Sequence, residues 1–168
     1  RDDTILITIM HGNNEMGTIQ PIEEIAALAR ERKILFHTDA VQTVGALPIQ
    51  VKEMGVDMLS LSAHKLYGPK GVGVLYARQG VRLDSLIHGG AQERNRRAGT
   101  EDIASIVGLA KALELAEQER VETMPRLVQM RDRLIAGLEK IPETKVNGHR
   151  TRRLPNNVNV CFRYIEGE

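Results

Sequence analysis

Residues 4–10 are almost all β-branched or apolar, the pattern of a strand covered on both faces in a parallel sheet. Polar, glycine-containing punctuation follows at residues 11–17. Ile22, Ile25, Ala26 and Ala29 then recur at helical spacing behind Pro21, with Glu23 and Glu24 near the positive N-terminal end, and predict an amphipathic helix. Strand character returns at residues 34–39, at Met58–Ser62 and, beyond a turn rich in Gly and Pro, at residues 72–77. Strands alternating with helices predict an α/β fold.

From Thr100 the texture changes. Thr100 is a candidate N-cap, Asp102 favours a first turn, and Ile103, Ile106, Val107, Ala110 and Leu113 form one stripe of a long helix. Pro125 is expected to kink or break that helix, after which Leu127, Met130, Leu134, Leu138 and Ile141 carry a second stripe. This predicts a domain boundary, with residues 1–120 in one domain and residues 121–168 beginning another. Residues 157–162 alternate Val158, Val160 and Phe162 with Asn and Cys, a strand with one polar face.

The 168 residues carry 23 Lys plus Arg against 22 Asp plus Glu, a net charge of +1, with 42% hydrophobic and 27% charged residues. Balanced charge of this kind excludes a disordered chain and gives no reason to expect a nucleic acid or a membrane surface as partner. The longest uninterrupted apolar run, residues 25–29, falls far short of the roughly 20 residues of a membrane helix. A single cysteine cannot form an internal disulfide, which fits a reducing, cytoplasmic compartment. Arg1 stands in place of an initiator Met and a strand-like run starts three residues later, so the sequence is expected to begin inside a domain.

The richest segment for chemistry is Ser60-Leu-Ser-Ala-His-Lys-Leu-Tyr-Gly-Pro-Lys-Gly-Val-Gly73, a strand running into a loop that presents Ser62, His64 and Lys65 together. A lysine just beyond a buried strand is expected to be partly desolvated, the setting a Schiff-base amine requires, and the hydroxyl and imidazole beside it suit a phosphate. A solvated loop lysine is the plain alternative. In His37-Thr-Asp-Ala-Val-Gln42, period 2 puts Leu35, His37 and Asp39 on one face, with Asp39 at the carboxyl edge where open α/β sheets place ligands. Such a carboxylate suits a protonated ring nitrogen; equally, Asp39 could cap the next turn while His37 packs. The amides of residues 11–17 could orient a carboxylate or a phenolic oxygen, or simply make a turn. Arg94, Arg96 and Arg97 precede a helix start near Thr100 suited to an anion, and a solvated basic loop is the ordinary explanation. Gly68-Pro-Lys-Gly-Val-Gly73 is neither a Walker loop nor a dinucleotide fingerprint, because no Gly-Lys-Ser/Thr follows and a strand comes next. Cys161, in an apolar strand, is expected to be buried rather than nucleophilic. Zinc-assisted hydrolysis by His11, His37, Asp39 and His64 is a remote alternative, since their spacing matches no metal signature.

Taken in order, Asn13-Asn14-Glu15, His37-x-Asp39-x-x-Gln42, Ser62-x-His64-Lys65-x-x-Gly68-Pro-x-Gly71 and Arg97-x-Gly99-Thr100 resemble the cysteine desulfurases of the NifS and IscS type, within the class V aminotransferases. The resemblance runs to Tyr164-Ile-Glu-Gly-Glu168. It implies a fold type I enzyme using pyridoxal 5'-phosphate, with a mixed, mostly parallel sheet in the large domain and the start of a smaller C-terminal α/β domain.

Carried over residue by residue, the resemblance implies that Lys65 joins the cofactor aldehyde as an imine and moves the substrate proton, and that Asp39 pairs with the pyridinium nitrogen. Gln42 would bond the phenolic oxygen, Ser62 and His64 the phosphate. Asn14 would lie near that phenolic oxygen and the substrate carboxylate, and Thr100 would reach the phosphate of a partner subunit's cofactor, implying a homodimer. The implied reaction turns L-cysteine into L-alanine and passes sulfur, as an enzyme persulfide, to an acceptor or scaffold protein for iron-sulfur cluster and thio-cofactor assembly.

The family's attacking cysteine, a phosphate-binding Gly-Thr segment, a ring-stacking His and a substrate-clamping Arg have no match in these residues. The chain is therefore expected to be part of a longer enzyme and inactive alone. A related aminotransferase, a selenocysteine lyase and a catalytically silent fragment are the alternatives.

Overall fold

A computed structural model describes residues 1–166; Gly167 and Glu168, the last two positions of the resemblance, lie outside the described residues. Four strands, β1 (Leu6–Met10), β2 (Leu35–Asp39), β3 (Met58–Ser62) and β4 (Gly73–Ala77), form one sheet in the order β1-β2-β3-β4. β1 and β2 pair in parallel, as do β2 and β3, while β4 returns antiparallel to β3. The sheet is mixed and mostly parallel, as the resemblance implied, within the α/β class that the alternation of elements predicted.

Helix α1 (Ile22–Glu31) starts just after Pro21, and its buried residues are Ile22, Ala26 and Ala29, three of the apolar positions at helical spacing. They pack with Phe36 and Leu59 from one face of the sheet and with Met54 of the short helix α2 (Val51–Met54), and Ile7, Ile9, Leu61 and Tyr76 are among the partly buried residues packed against this core. Period 2 therefore turns Thr8, His37, Asp39, Ser60 and Ser62 to the opposite face. β1 is not covered on both faces: it is the first strand of the sheet order, and Leu6 at its start is exposed. Its continuous apolar character reflects the β propensity of branched residues as much as burial.

Beyond a one-turn segment α3 (Gln92–Asn95), helix α4 (Ile103–Leu138) runs for 36 residues with Pro125 inside it. Of the expected kink or break at Pro125 there is no break: α4 continues through Pro125 and through residues 120 and 121 as one helix. One proline removes one main-chain donor, a local loss that intact turns on both sides can carry once the helix has nucleated. The cap is Asp102 rather than Thr100, because the Asp102 carboxylate accepts the Ser105 N–H (3.2 Å) and hydroxyl (2.6 Å), which also holds its pKa below the usual carboxylate range.

Of the first expected stripe only Leu113 packs on the core; Ile103, Ile106, Val107 and Ala110 are exposed, and the residue buried there is Leu109, outside the stripe. In the second half of α4 the buried residues are Arg131 and Ile135 rather than the stripe through Leu127, Met130, Leu134 and Leu138. Arg131 is drawn in because its guanidinium donates to the carbonyls of Arg153 (3.2 Å) and Leu154 (3.0 Å). A small antiparallel pair, β5 (Thr144–Val146) and β6 (Val160–Phe162), completes the described chain. β6 is shorter than the expected strand, and Cys161 within it is exposed, since a two-stranded ribbon covers one face at most. Among the described residues no helix is long and apolar enough to cross a membrane.

Candidate active site

The three parallel strands end on one edge of the sheet, where Met10, Asp39 and Ser62 are their last residues. The segments leaving that edge carry Asn14, Gln42 and the pair His64 and Lys65. β4 enters at the same edge, with Gly73 opposite Ser62, so the Gly-Pro turn closes over it. Carboxyl ends of parallel strands are where open α/β sheets bind ligands.

Asp39 is half-buried. Its main-chain carbonyl accepts the His11 N–H (2.8 Å) and its Oδ1 accepts the Val41 N–H (2.9 Å). The side chain thus does cap the next turn, while its second oxygen has no partner among the described residues. Below it on the same strand face, the His37 ring lies between two hydroxyls, with Nδ1 2.7 Å from Thr8 Oγ1 and Nε2 3.1 Å from Ser60 Oγ. Burial pushes the His37 pKa down, against a smaller upward pull from Asp39. His11, almost fully buried, is likewise shifted down by burial, and its Nδ1 has no hydrogen-bond partner among the described residues.

Beyond β3 the chain makes a single tight 3₁₀ turn, Ala63–Leu66. Residues three apart eclipse in such a turn, so burying Ala63 and Leu66 rotates His64 and Lys65 outward. Lys65 is exposed and has no hydrogen-bond or ion-pair partner among the described residues, so the partial desolvation expected of it is not found in this chain. Ser62 Oγ and His64 Nδ1 are 2.7 Å apart, a hydroxyl–imidazole pair. The turn ends on Tyr67 in the left-handed region (φ 60°) and rests against α4, where a Cβ at Gly108 would lie 2.7 Å from Pro69 Cγ. Only glycine lets the helix come this close.

Asn14 is exposed, and the turn around it is made by its neighbour: Asn13 Oδ1 accepts the N–H groups of Glu15 (3.0 Å) and Met16 (2.7 Å). Gln42 is half-buried in the turn after Asp39. Thr100 is exposed on an open cleft of about 880 Å³, lined by the outer side of β4, by Arg94, Arg96 and Arg97, and by the start of α4. Asp39, Gln42, Ser62, His64 and Lys65 do not line that cleft, although Gly71, Val72 and Gly73, where β4 begins beside Ser62, do. With Asp102 capping α4, the helix start near Thr100 is also not an open anion site. Among the described residues no three His, Cys, Asp or Glu side chains are grouped to hold a metal ion.

The model of the family described as Aminotransferase class-V matches residues 1–168. The chain belongs to this family. Within it, the chain is 63% identical over its whole length to the "Cysteine desulfurase IscS" of Methanosarcina thermophila, of which it covers 42%. A solved "NIFS-like protein" superposes on 97% of the chain with a TM-score of 0.91 at 42% identity, the match covering 45% of that structure. Another, "SspA in complex with cysteine", superposes on 97% of the chain and 45% of its own length with a TM-score of 0.80 at 42% identity. The chain thus spans less than half the length of the relatives it matches.

For a class V aminotransferase the donor set at the sheet edge is chemically apt. A carboxylate oxygen without a partner, a hydroxyl–imidazole pair and an accessible primary amine are groups that can hold, in turn, the ring nitrogen, the phosphate and the aldehyde of pyridoxal phosphate. Three residues escaped the sequence reading: Thr8 and Ser60, which bracket His37, and Asn157, which donates to the loop bearing Asn14. The only signal for Thr8 and Ser60 was a hydroxyl set among apolar residues in each of two strand-like stretches.

Proposed function

We propose that the protein to which this chain belongs is a pyridoxal-phosphate-dependent cysteine desulfurase. It converts L-cysteine to L-alanine and delivers the sulfur, as an enzyme persulfide, to an acceptor or scaffold protein for iron-sulfur cluster and thio-cofactor assembly. The observation that carries this reading is the gathering of Asp39, the Ser62–His64 pair and Lys65 at the carboxyl edge of three successive parallel strands. The likeness to relatives named cysteine desulfurase, and to a solved relative holding cysteine, supports the choice of substrate.

When bound, pyridoxal phosphate supplies an electron sink for the bond broken at the substrate Cα. Asp39, oriented by the Val41 N–H, accepts the ring nitrogen's proton in a hydrogen bond and keeps that nitrogen positive. Lys65 Nζ would hold the aldehyde and, once displaced from it by the substrate amine, would be free to move the Cα proton; its place in a tight turn against α4 limits the positions the amine can reach. Ser62 and His64 hold the phosphate as a preassembled pair. Gln42 bonds the phenolic oxygen, and Asn14 lies near it and the substrate carboxylate.

Thr100, on a cleft that Asp39, Ser62, His64 and Lys65 do not line, serves the phosphate of the other subunit's cofactor in a homodimer. The reading divides the chain at residues 120 and 121 into the end of a large domain and the start of a smaller one. It places the enzyme in the cytoplasm and assigns the attacking thiol to a cysteine other than Cys161, which does not match the family's motif.

The test uses the full-length protein. Addition of pyridoxal phosphate should produce a visible absorption band that borohydride abolishes, and alanine should form from L-cysteine. Lys65→Ala should remove both, and a band unaffected by that substitution overturns the assignment.

A further inference from the structure

His37 stands two residues before Asp39 on the same face of β2, directly opposite Thr8 of β1 in the register and two pairs away from Ser60 of β3, which is the register partner of Asp39. Its two ring nitrogens are both engaged, by Thr8 Oγ1 at 2.7 Å and Ser60 Oγ at 3.1 Å. The imidazole therefore bridges three strands. The main-chain ladder it reinforces is short: β2 and β3 are paired only at His37–Met58, Thr38–Leu59 and Asp39–Ser60. The contact from His37 to Ser60 links the first of those pairs to the last.

Packing alone does not call for a histidine here, because the core lies on the other face with Phe36 and Leu59. A neutral imidazole has one donor and one acceptor, and two hydroxyls can answer both in either tautomer. We propose that His37 is a positioning residue for Asp39: by tying Thr8 to Ser60 it holds the three strand ends in the register that presents the Asp39 carboxylate to a cofactor ring nitrogen. Burial also favours the neutral ring, so no second cation competes for that carboxylate. The inference rests on the active-site reading of Asp39 given above.

The experiment uses the full-length holoenzyme and follows two quantities, the dissociation constant for pyridoxal phosphate and the ¹⁵N chemical shift of the labelled cofactor's ring nitrogen. Ser60→Ala and Thr8→Val, each removing one hydroxyl, should weaken cofactor binding about three- to tenfold. His37→Leu should weaken it further and move the ring nitrogen toward its unprotonated shift, with His37→Gln recovering part of both.

Weaker binding with an unchanged ¹⁵N shift in these variants overturns the proposal, since that would be lost fold support alone; so would wild-type affinity and shift. Should His37→Leu fail to fold, Ser60→Ala decides by the same two readouts. Asp39→Asn separates the two levels: if it leaves both quantities unchanged, the active-site reading itself falls, whereas a response to Asp39→Asn without one to the His37 and Ser60 variants removes this inference only.

Discussion

The side-chain amide of Asn157 donates to the carbonyls of Asn14 (3.2 Å) and Glu15 (3.0 Å), joining positions 143 and 142 residues apart. It has company: Asn159 Nδ2 reaches the Glu15 carbonyl (3.2 Å), Arg153 Nη2 the Met16 carbonyl (3.2 Å), and the Leu154 N–H the Gly17 carbonyl (2.7 Å). The loop that carries Asn14 is shaped from the far end of the chain. Residues of that distant segment can therefore alter the site without belonging to it.

Asn157→Ala removes two of these hydrogen bonds and should lower the unfolding free energy of the full-length protein by about 1–3 kcal/mol. Asn157→Asp should cost more, because a carboxylate facing two carbonyl oxygens has no proton to give. Urea unfolding of both variants checks the order, and an aspartate variant as stable as wild type contradicts it.

Gly17 has φ +76°, and a Cβ built there would clash with Asn157 Oδ1. Gly17→Ala combines left-handed strain with a clash against the residue that anchors the loop. A loss of at least about 1–3 kcal/mol is expected, seen as a drop in Tm, together with a raised KM for L-cysteine if Asn14 touches the substrate.

Phe36 is 1% exposed between α1 and the sheet. Phe36→Ala should destabilise by about 3–5 kcal/mol through lost transfer energy and the cavity left behind. Phe36→Leu, which keeps most of the volume, should cost markedly less; equal losses would show that the core does not close around this ring.

His11 and His37 both have pKa values depressed by burial. In the unfolded chain they protonate near the ordinary value of about 6.5, whereas in the fold they resist protonation to lower pH. Between those values the unfolded state binds more protons, so stability rises with pH; it is fully present above about pH 6.5 and lost as pH falls through and below that value. Thermal unfolding at a series of pH values should show this acid-side decline, and His11→Gln should make it shallower. An unchanged slope in the variant would show that His11 protonates alike in both states.

The order of the four sheet strands, α1 and α4 was legible because it depends on neighbouring residues, whereas the short α2, α3 and β5 were not read. Alternation and branched side chains mark β2 and β3, the spacing of Ile22, Ala26 and Ala29 marks α1, and the Gly-Pro turn separates β3 from β4. The same local information put Asp39 and Ser62 at strand ends and His64 and Lys65 just beyond one. What tertiary structure decided is what each side chain meets there. A stripe through Leu127, Met130 and Leu134 is as periodic as one through Arg131 and Ile135, and only carbonyls contributed by Arg153 and Leu154 select the second. The outward turn of Lys65 comes from which residues of a 3₁₀ turn find cover, and the continuity of α4 through Pro125 from turns already formed on either side. The hold of Asn157 on the Asn14 loop, and of Thr8 and Ser60 on His37, depends on residues far apart in the chain becoming neighbours, and periodicity holds no information about that.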